Sequence, residues 1–66
     1  MKIHVDQDAD ALYLRLDDSK IIESEEVSPG VVLDYNEQKQ VVGIEMLNLS
    51  LRTPHLNFRE LQYQTA

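Results

Sequence analysis

Asp6-x-Asp8-x-Asp10, with Asp17 twelfth in the count, has the carboxylate spacing of a loop that wraps a calcium ion. Such a loop needs glycine at its sixth position for a sharp turn, and that position is Ala11. It also needs a bidentate glutamate at its end and helices on both sides. Here its second half alternates apolar and polar residues as a strand does. Successive side chains of a strand point to opposite faces and cannot close around one ion. The acidic run therefore reads as a turn whose carboxylates bond nearby backbone amides.

His4 and His55 are the only histidines, and there is no cysteine. Ser24, His4 and Asp34 could be written as a nucleophile, a base and an orienting acid, but no Gly-x-Ser-x-Gly elbow presents the serine. Asp17 with Asp18, and Glu25 with Glu26, are adjacent carboxylates. Acid–base catalysis needs two carboxyls that converge in a cleft with separated pKa values, and neighbours on a strand diverge. The two glycines, Gly30 and Gly43, are too far apart to build a phosphate loop. No motif calls for a cofactor or a metal. Gly43 lies within an apolar run, which signals a bulge or the close approach of another group. Tyr13 stands opposite three leucines of its own run and is a candidate interface anchor, since tyrosine is enriched at interfaces.

The chain has 66 residues, one domain's worth, and a formal charge of −6. Domains of this size bury a small fraction of their surface and often reach only about 3–5 kcal/mol of stability without staples. No disulfide can help, so self-association is the remaining source. Excess acid repels phosphate backbones, which argues against nucleic acid as a partner and suits a basic protein. The N-terminus lacks an apolar signal core, and the longest purely apolar run, Val31-Val32-Leu33, is far short of a membrane span. These features predict a cytoplasmic protein with no membrane partner.

The elements that carry these residues are short alternating runs bounded by turn chemistry. Five strands are expected: Lys2 to Asp6, Ala11 to Asp17, Ile21 to Val27, Val31 to Tyr35, and Gln40 to Met46. The intervening loops are too short for parallel crossovers, so the expectation is an antiparallel meander. The third run carries charge on both faces and suits a sheet edge. The fourth and fifth are apolar on both faces and call for cover on two sides. Leu47 to Arg52 is expected as a short helix that stops before Pro54. Asn57 and Glu60 have capping-box-like spacing, which implies a helical turn near Phe58, and the tail after Leu61 alternates like a strand. The expected core is Ile3, Val5, Leu12, Leu14, Leu16, Leu33, Val42, Ile44 and Met46.

Three segments also carry a family resemblance: Asp6-Gln7-Asp8-Ala9-Asp10-Ala11-Leu12-Tyr13-Leu14-Arg15-Leu16, Pro29-Gly30-Val31-Val32-Leu33-Asp34-Tyr35, and Val42-Gly43-Ile44-Glu45-Met46-Leu47. In order and spacing they resemble a small bacterial family catalogued as domain of unknown function 2283. The family often has proline where Gln7 stands and an Asn-Gly or Asp-Gly hairpin where Gln38-Lys39 stands. The resemblance implies a small β-rich domain with no established activity, and a gene neighbourhood of the toxin–antitoxin kind. It supplies no catalytic residues.

The expectation is thus an α+β, predominantly β fold: a small antiparallel sheet with one or two short C-terminal helical segments. One domain spans 1–66, with a family-like core over 1–51 and a C-terminal extension over 52–66. The expected function is a non-enzymatic, self-associating interaction module that can neutralise a small basic partner through Glu23, Glu25 and Glu26. Val32 and Val41 are the candidate interface residues, with Tyr13 and Phe58 near the margin. The alternative is a small hydrolase or metal-dependent enzyme, with Asp8 and Asp10 meeting His4 or Asp34 at a subunit boundary.

Overall fold

Five of the alternating runs become strands in a computed structural model, which describes residues 1–66. They are β1 (Lys2–Asp6), β2 (Ala11–Arg15), β3 (Glu23–Ser28), β4 (Val31–Tyr35) and β5 (Val41–Met46), followed by a single helical turn, α1 (Leu49–Arg52). All pairings are antiparallel. The fold is therefore the small, predominantly β antiparallel sheet expected from the alternation.

The strand order is β1-β2-β5-β4-β3. This corrects the expectation of an uninterrupted meander, because β5 rather than β3 sits beside β2. The reason lies in β3 itself. Glu23, Ser24, Glu25 and Glu26 put charge or hydroxyls on both faces, and a central position would desolvate them. At the edge they stay in water. The chain from Leu16 to Ile22 accordingly passes the ends of β5 and β4. It is tied there by Leu16 N–H to the Val42 carbonyl at 2.8 Å and Ile22 N–H to the Tyr35 carbonyl at 2.9 Å. Arg15 reinforces the turn by donating through Nε to the Asp17 carbonyl and through Nη2 to the Ser19 carbonyl.

Each turn follows local chemistry. In the β1–β2 turn, Asp6 Oδ1 accepts from Ala9 N–H at 3.0 Å, and Asp10 takes a left-handed conformation at φ 55. Pro29-Gly30 joins β3 to β4, with Gly30 at φ 76. Asn36 organises the β4–β5 loop in place of an Asn-Gly pair. Its Oδ1 accepts from Gln38 N–H and Gln40 N–H, both at 3.0 Å, while Lys39 occupies the left-handed region at φ 62.

Register sorts the side chains onto two faces. Ile3 opposes Leu14, Leu14 opposes Ile44, and Ile44 opposes Leu33; Val5, Leu12, Met46 and Val31 form a second row on the same side. The core residues expected from alternation therefore share one face, but most remain half-open. Only Val42, at 3% exposure, and Leu49, at 6%, are buried apolar side chains, while Ile3 keeps 41% of its surface. Leu49 belongs to α1, outside the expected core.

The helix is shorter than Leu47 to Arg52 because Asn48 adopts the left-handed conformation at φ 56, so the turn begins one residue later. No helix forms near Phe58 and no strand forms after Leu61. Asn57 Oδ1 accepts from Arg59 N–H at 3.0 Å, closing a local turn, and Glu60 bonds Gln62 rather than reaching back to cap. No helix is long and apolar enough to cross a membrane.

Candidate functional site

Both faces of the sheet carry an organised cluster. On the polar face, β2 contributes Tyr13 and Arg15, β5 contributes Gly43 and Glu45, β4 contributes Val32 and Asp34, and β3 contributes Ser24. Tyr13 and Asp34 are separated by β5. They meet because Gly43 has no side chain: a Cβ there would lie 2.6 Å from Tyr13 Oη and 2.9 Å from Asp34 Oδ2. Through that gap Tyr13 Oη donates to Asp34 Oδ2 at 2.9 Å, and Ser24 Oγ donates to Asp34 Oδ1 at 2.6 Å. Asp34 is buried, with 8% of its surface exposed, and each of its oxygens has a hydroxyl partner. Arg15 Nη1 adds a longer contact to Tyr13 Oη at 3.4 Å.

This cluster fastens β2, β4 and β3 together across β5. Hydrogen bonds to a charged acceptor are the stronger kind, worth about 1.5–3 kcal/mol. Both hydroxyls donate to the Asp34 carboxylate, and the arrangement supports the sheet. Each of the three segments that carry the family resemblance supplies one member: Tyr13, Asp34 and Gly43.

A second polar cluster explains the acidic turn. Asp10 accepts from Ser50 N–H at 3.0 and 3.2 Å and from Ser50 Oγ at 2.7 Å, and its carbonyl accepts from Leu49 N–H at 3.0 Å. Asn48 makes no side-chain cap of its own. A carboxylate 40 residues upstream therefore caps α1, satisfying amides that a helix leaves unpaired at its start. Arg52 holds the other end, donating to the Leu47 carbonyl at 2.9 Å and to the Pro29 carbonyl. Together these contacts pin Leu49 against the apolar face.

Asp17 is the one group with a clearly displaced titration. The Ser19 hydroxyl and then the Ser19 N–H hold its carboxyl below the ordinary 3.8; desolvation opposes them, and the Arg15 charge adds a lesser lowering.

The candidate residues divide between these surfaces. Tyr13 and Val32 share the polar face through Glu45. Val41 pairs with Tyr35 where the β4–β5 register shifts, and Phe58 lines the groove on the apolar face. The four do not form one contiguous patch. The acids of the enzymatic alternative are also dispersed: Asp10 sits against α1, Asp34 against Tyr13 and Ser24, and His4 beside Lys2, Arg15 and Asp18. No three histidine or acidic side chains are grouped so as to hold a metal ion. Sequence reasoning missed the Asp10–Ser50 and Tyr13–Asp34 pairs. The first left no signal in local spacing. The second was announced only by Gly43 within a strand.

The apolar face is the larger feature. Ile3, Val5, Leu12, Leu49, Leu56 and Phe58 surround a groove of about 150 Å³, and Met1, Ile3, Leu61 and Tyr63 border a wider depression of about 350 Å³ beside β1. Both lie open to solvent.

No curated protein and no solved structure matches the chain. Residues 2–50 match the family described as protein of unknown function (DUF2283), and by this match over most of its length the chain belongs to that family.

Proposed function

We propose that the chain is a non-enzymatic interaction module that self-associates through the apolar side of its sheet. The observation that carries this is surface area. The chain exposes 5398 Å². A folded monomer of 7.6 kDa exposes about 4,300 Å². The surplus, about 1,100 Å², is comparable to the roughly 800 Å² each partner gives to a standard protein interface. Shape agrees: the radius of gyration is 12.8 Å, against about 10.8 Å for a compact domain of this length.

Charge supports a second partner. Glu23, Glu25 and Glu26 are all exposed on the β3 edge, and an acidic edge suits the neutralisation of a small basic protein. Multi-angle light scattering at micromolar concentration should give about twice the chain mass. A folded species with the mass of one chain throughout the micromolar range would overturn the self-association. Replacing Glu23, Glu25 and Glu26 by lysine should abolish binding of a basic partner without changing the scattering mass. Binding that survives the triple replacement would overturn the assignment of that edge.

A further inference from the structure

We infer that the second copy docks edge to edge on β1, the two β1 strands pairing antiparallel about His4 to continue the sheet. This rests on the self-association proposed above, but it places the contact at the β1 edge that borders the apolar side and not on the face itself.

A five-stranded open sheet has two edges, each a row of unpaired backbone groups that can template another strand. Here they differ. The β3 edge has Glu23, Glu25 and Glu26 and a register shift between Glu26 and Ser28. Acid and a bulge both block edge pairing, and two copies of this edge would place carboxylates against carboxylates. The β1 edge has no bulge, and its single acid, Asp6, is balanced by Lys2 at the other end of the strand. Its register with β2 is unbroken from Lys2 to Asp6, it contains no proline, and all five of its residues are exposed.

The β1 sequence, Lys2-Ile3-His4-Val5-Asp6, is complementary to itself when reversed. Centred on His4, antiparallel pairing sets Lys2 against the partner's Asp6, Ile3 against the partner's Val5, and His4 against the partner's His4. Opposite charges and branched apolar side chains facing each other are the favourable cross-strand pairs. Moving the centre to Ile3 sets Lys2 against the partner's His4 and loses both charge pairs. Centring on a residue also keeps the two apolar faces on the same side of the joined sheet. Met1, Ile3, Leu61 and Tyr63, which border the wider apolar depression, lie along this margin, where the second copy would cover them.

The absence of cysteine from the chain makes the test direct. Opposed residues of antiparallel strands have Cα atoms about 4.5–5.5 Å apart, within the span a disulfide bridges. His4→Cys should therefore convert to a covalent dimer under mild oxidation, far faster than Glu25→Cys on the opposite edge. Lys2→Glu should raise the dimer dissociation constant roughly tenfold, since it turns two attractive pairs into repulsive ones. Lys2 also lies 4.0 Å from Asp18, an exposed contact; Asp18→Asn removes that contact alone and should leave dimerisation unchanged. A dimer in which Glu25→Cys cross-links as readily as His4→Cys, or which Lys2→Glu leaves intact, overturns the edge assignment and spares the self-association. A monomer in light scattering overturns both.

Discussion

Gly43→Ala should destabilise this protein, against the usual direction of the substitution. Alanine in a strand interior is ordinarily favoured over glycine by about 0.5–1 kcal/mol, because glycine loses more conformational freedom on folding. At this position the new methyl would stand 2.6 Å from Tyr13 Oη, 2.9 Å from Asp34 Oδ2 and 3.2 Å from Asp34 Cβ. Neither oxygen can retreat and keep the bond between them. Forcing an extra carbon into a filled space costs about 1–3 kcal/mol, and parting Tyr13 from the carboxylate forfeits about 1.5–3 kcal/mol. The two are one event counted from two sides, so a loss of about 2–3 kcal/mol, net of the alanine preference, is expected. For a domain of this length that corresponds to a fall in Tm of about 8–24 °C. The assay is thermal or urea unfolding at fixed protein concentration, since self-association makes stability concentration-dependent. Tyr13→Phe removes the hydroxyl the methyl would strike, so Gly43→Ala should cost markedly less in that background, with a coupling of at least about 1 kcal/mol. A Gly43→Ala protein as stable as wild type, or additive behaviour with Tyr13→Phe, would refute the idea that Gly43 opens a passage between β2 and β4.

Asp10→Ala should cost about 1–2 kcal/mol, as loss of a helix cap does, and amide exchange should show α1 freed while the sheet stays protected. Leu49→Ala should cost about 2–4 kcal/mol in chemical denaturation, since Leu49 is one of two buried apolar side chains. Lys39→Gly should stabilise by about 0.5–1 kcal/mol in the same assay, because Lys39 holds a left-handed conformation that glycine adopts freely. Asp17 has a folded-state pKa below its ordinary value, so its contribution is present above that value and is lost as pH falls through the lowered one. Asp17→Asn should therefore leave a protein whose stability falls less steeply at the acid end of a pH titration of unfolding.

The sheet was legible because alternation and turn residues are local properties. Leu12, Leu14 and Leu16 alternate whatever lies beside them, and Pro29-Gly30 turns the chain without help from elsewhere. The acidic third run named its own edge position. Strand order was less legible, since nothing within Val41 to Met46 states that β2 will be its neighbour. The helix was read as longer than it is because its start is set from a distance, by the Asp10 carboxylate. Phe58 misled because Asn57 can close a turn as readily as cap a helix, and here it accepts from Arg59 N–H. Gly43 is the instructive residue of the polar cluster. Its type and place within a strand foretold a close approach, while the groups approaching it became visible only once Tyr13 and Asp34 were in register.

The place of β5 in the sheet bears on the order in which the protein can assemble. β1 with β2 is a hairpin, and β3 with β4 is another, each closed by contacts near in sequence. Neither stands alone, because a lone pair of strands is marginally stable in water. The strand that joins them is the last to be made, and its pairing with β2 closes a loop of some 30 residues. Loop closure of that kind must precede the contacts that reward it, which slows folding. Until β5 is inserted, the inner flank of β2 is a second open edge beside that of β1. The nascent chain is therefore most prone to mispairing with its neighbours just before its final strand arrives, and a chain cut short after Tyr35 keeps that hazard permanently.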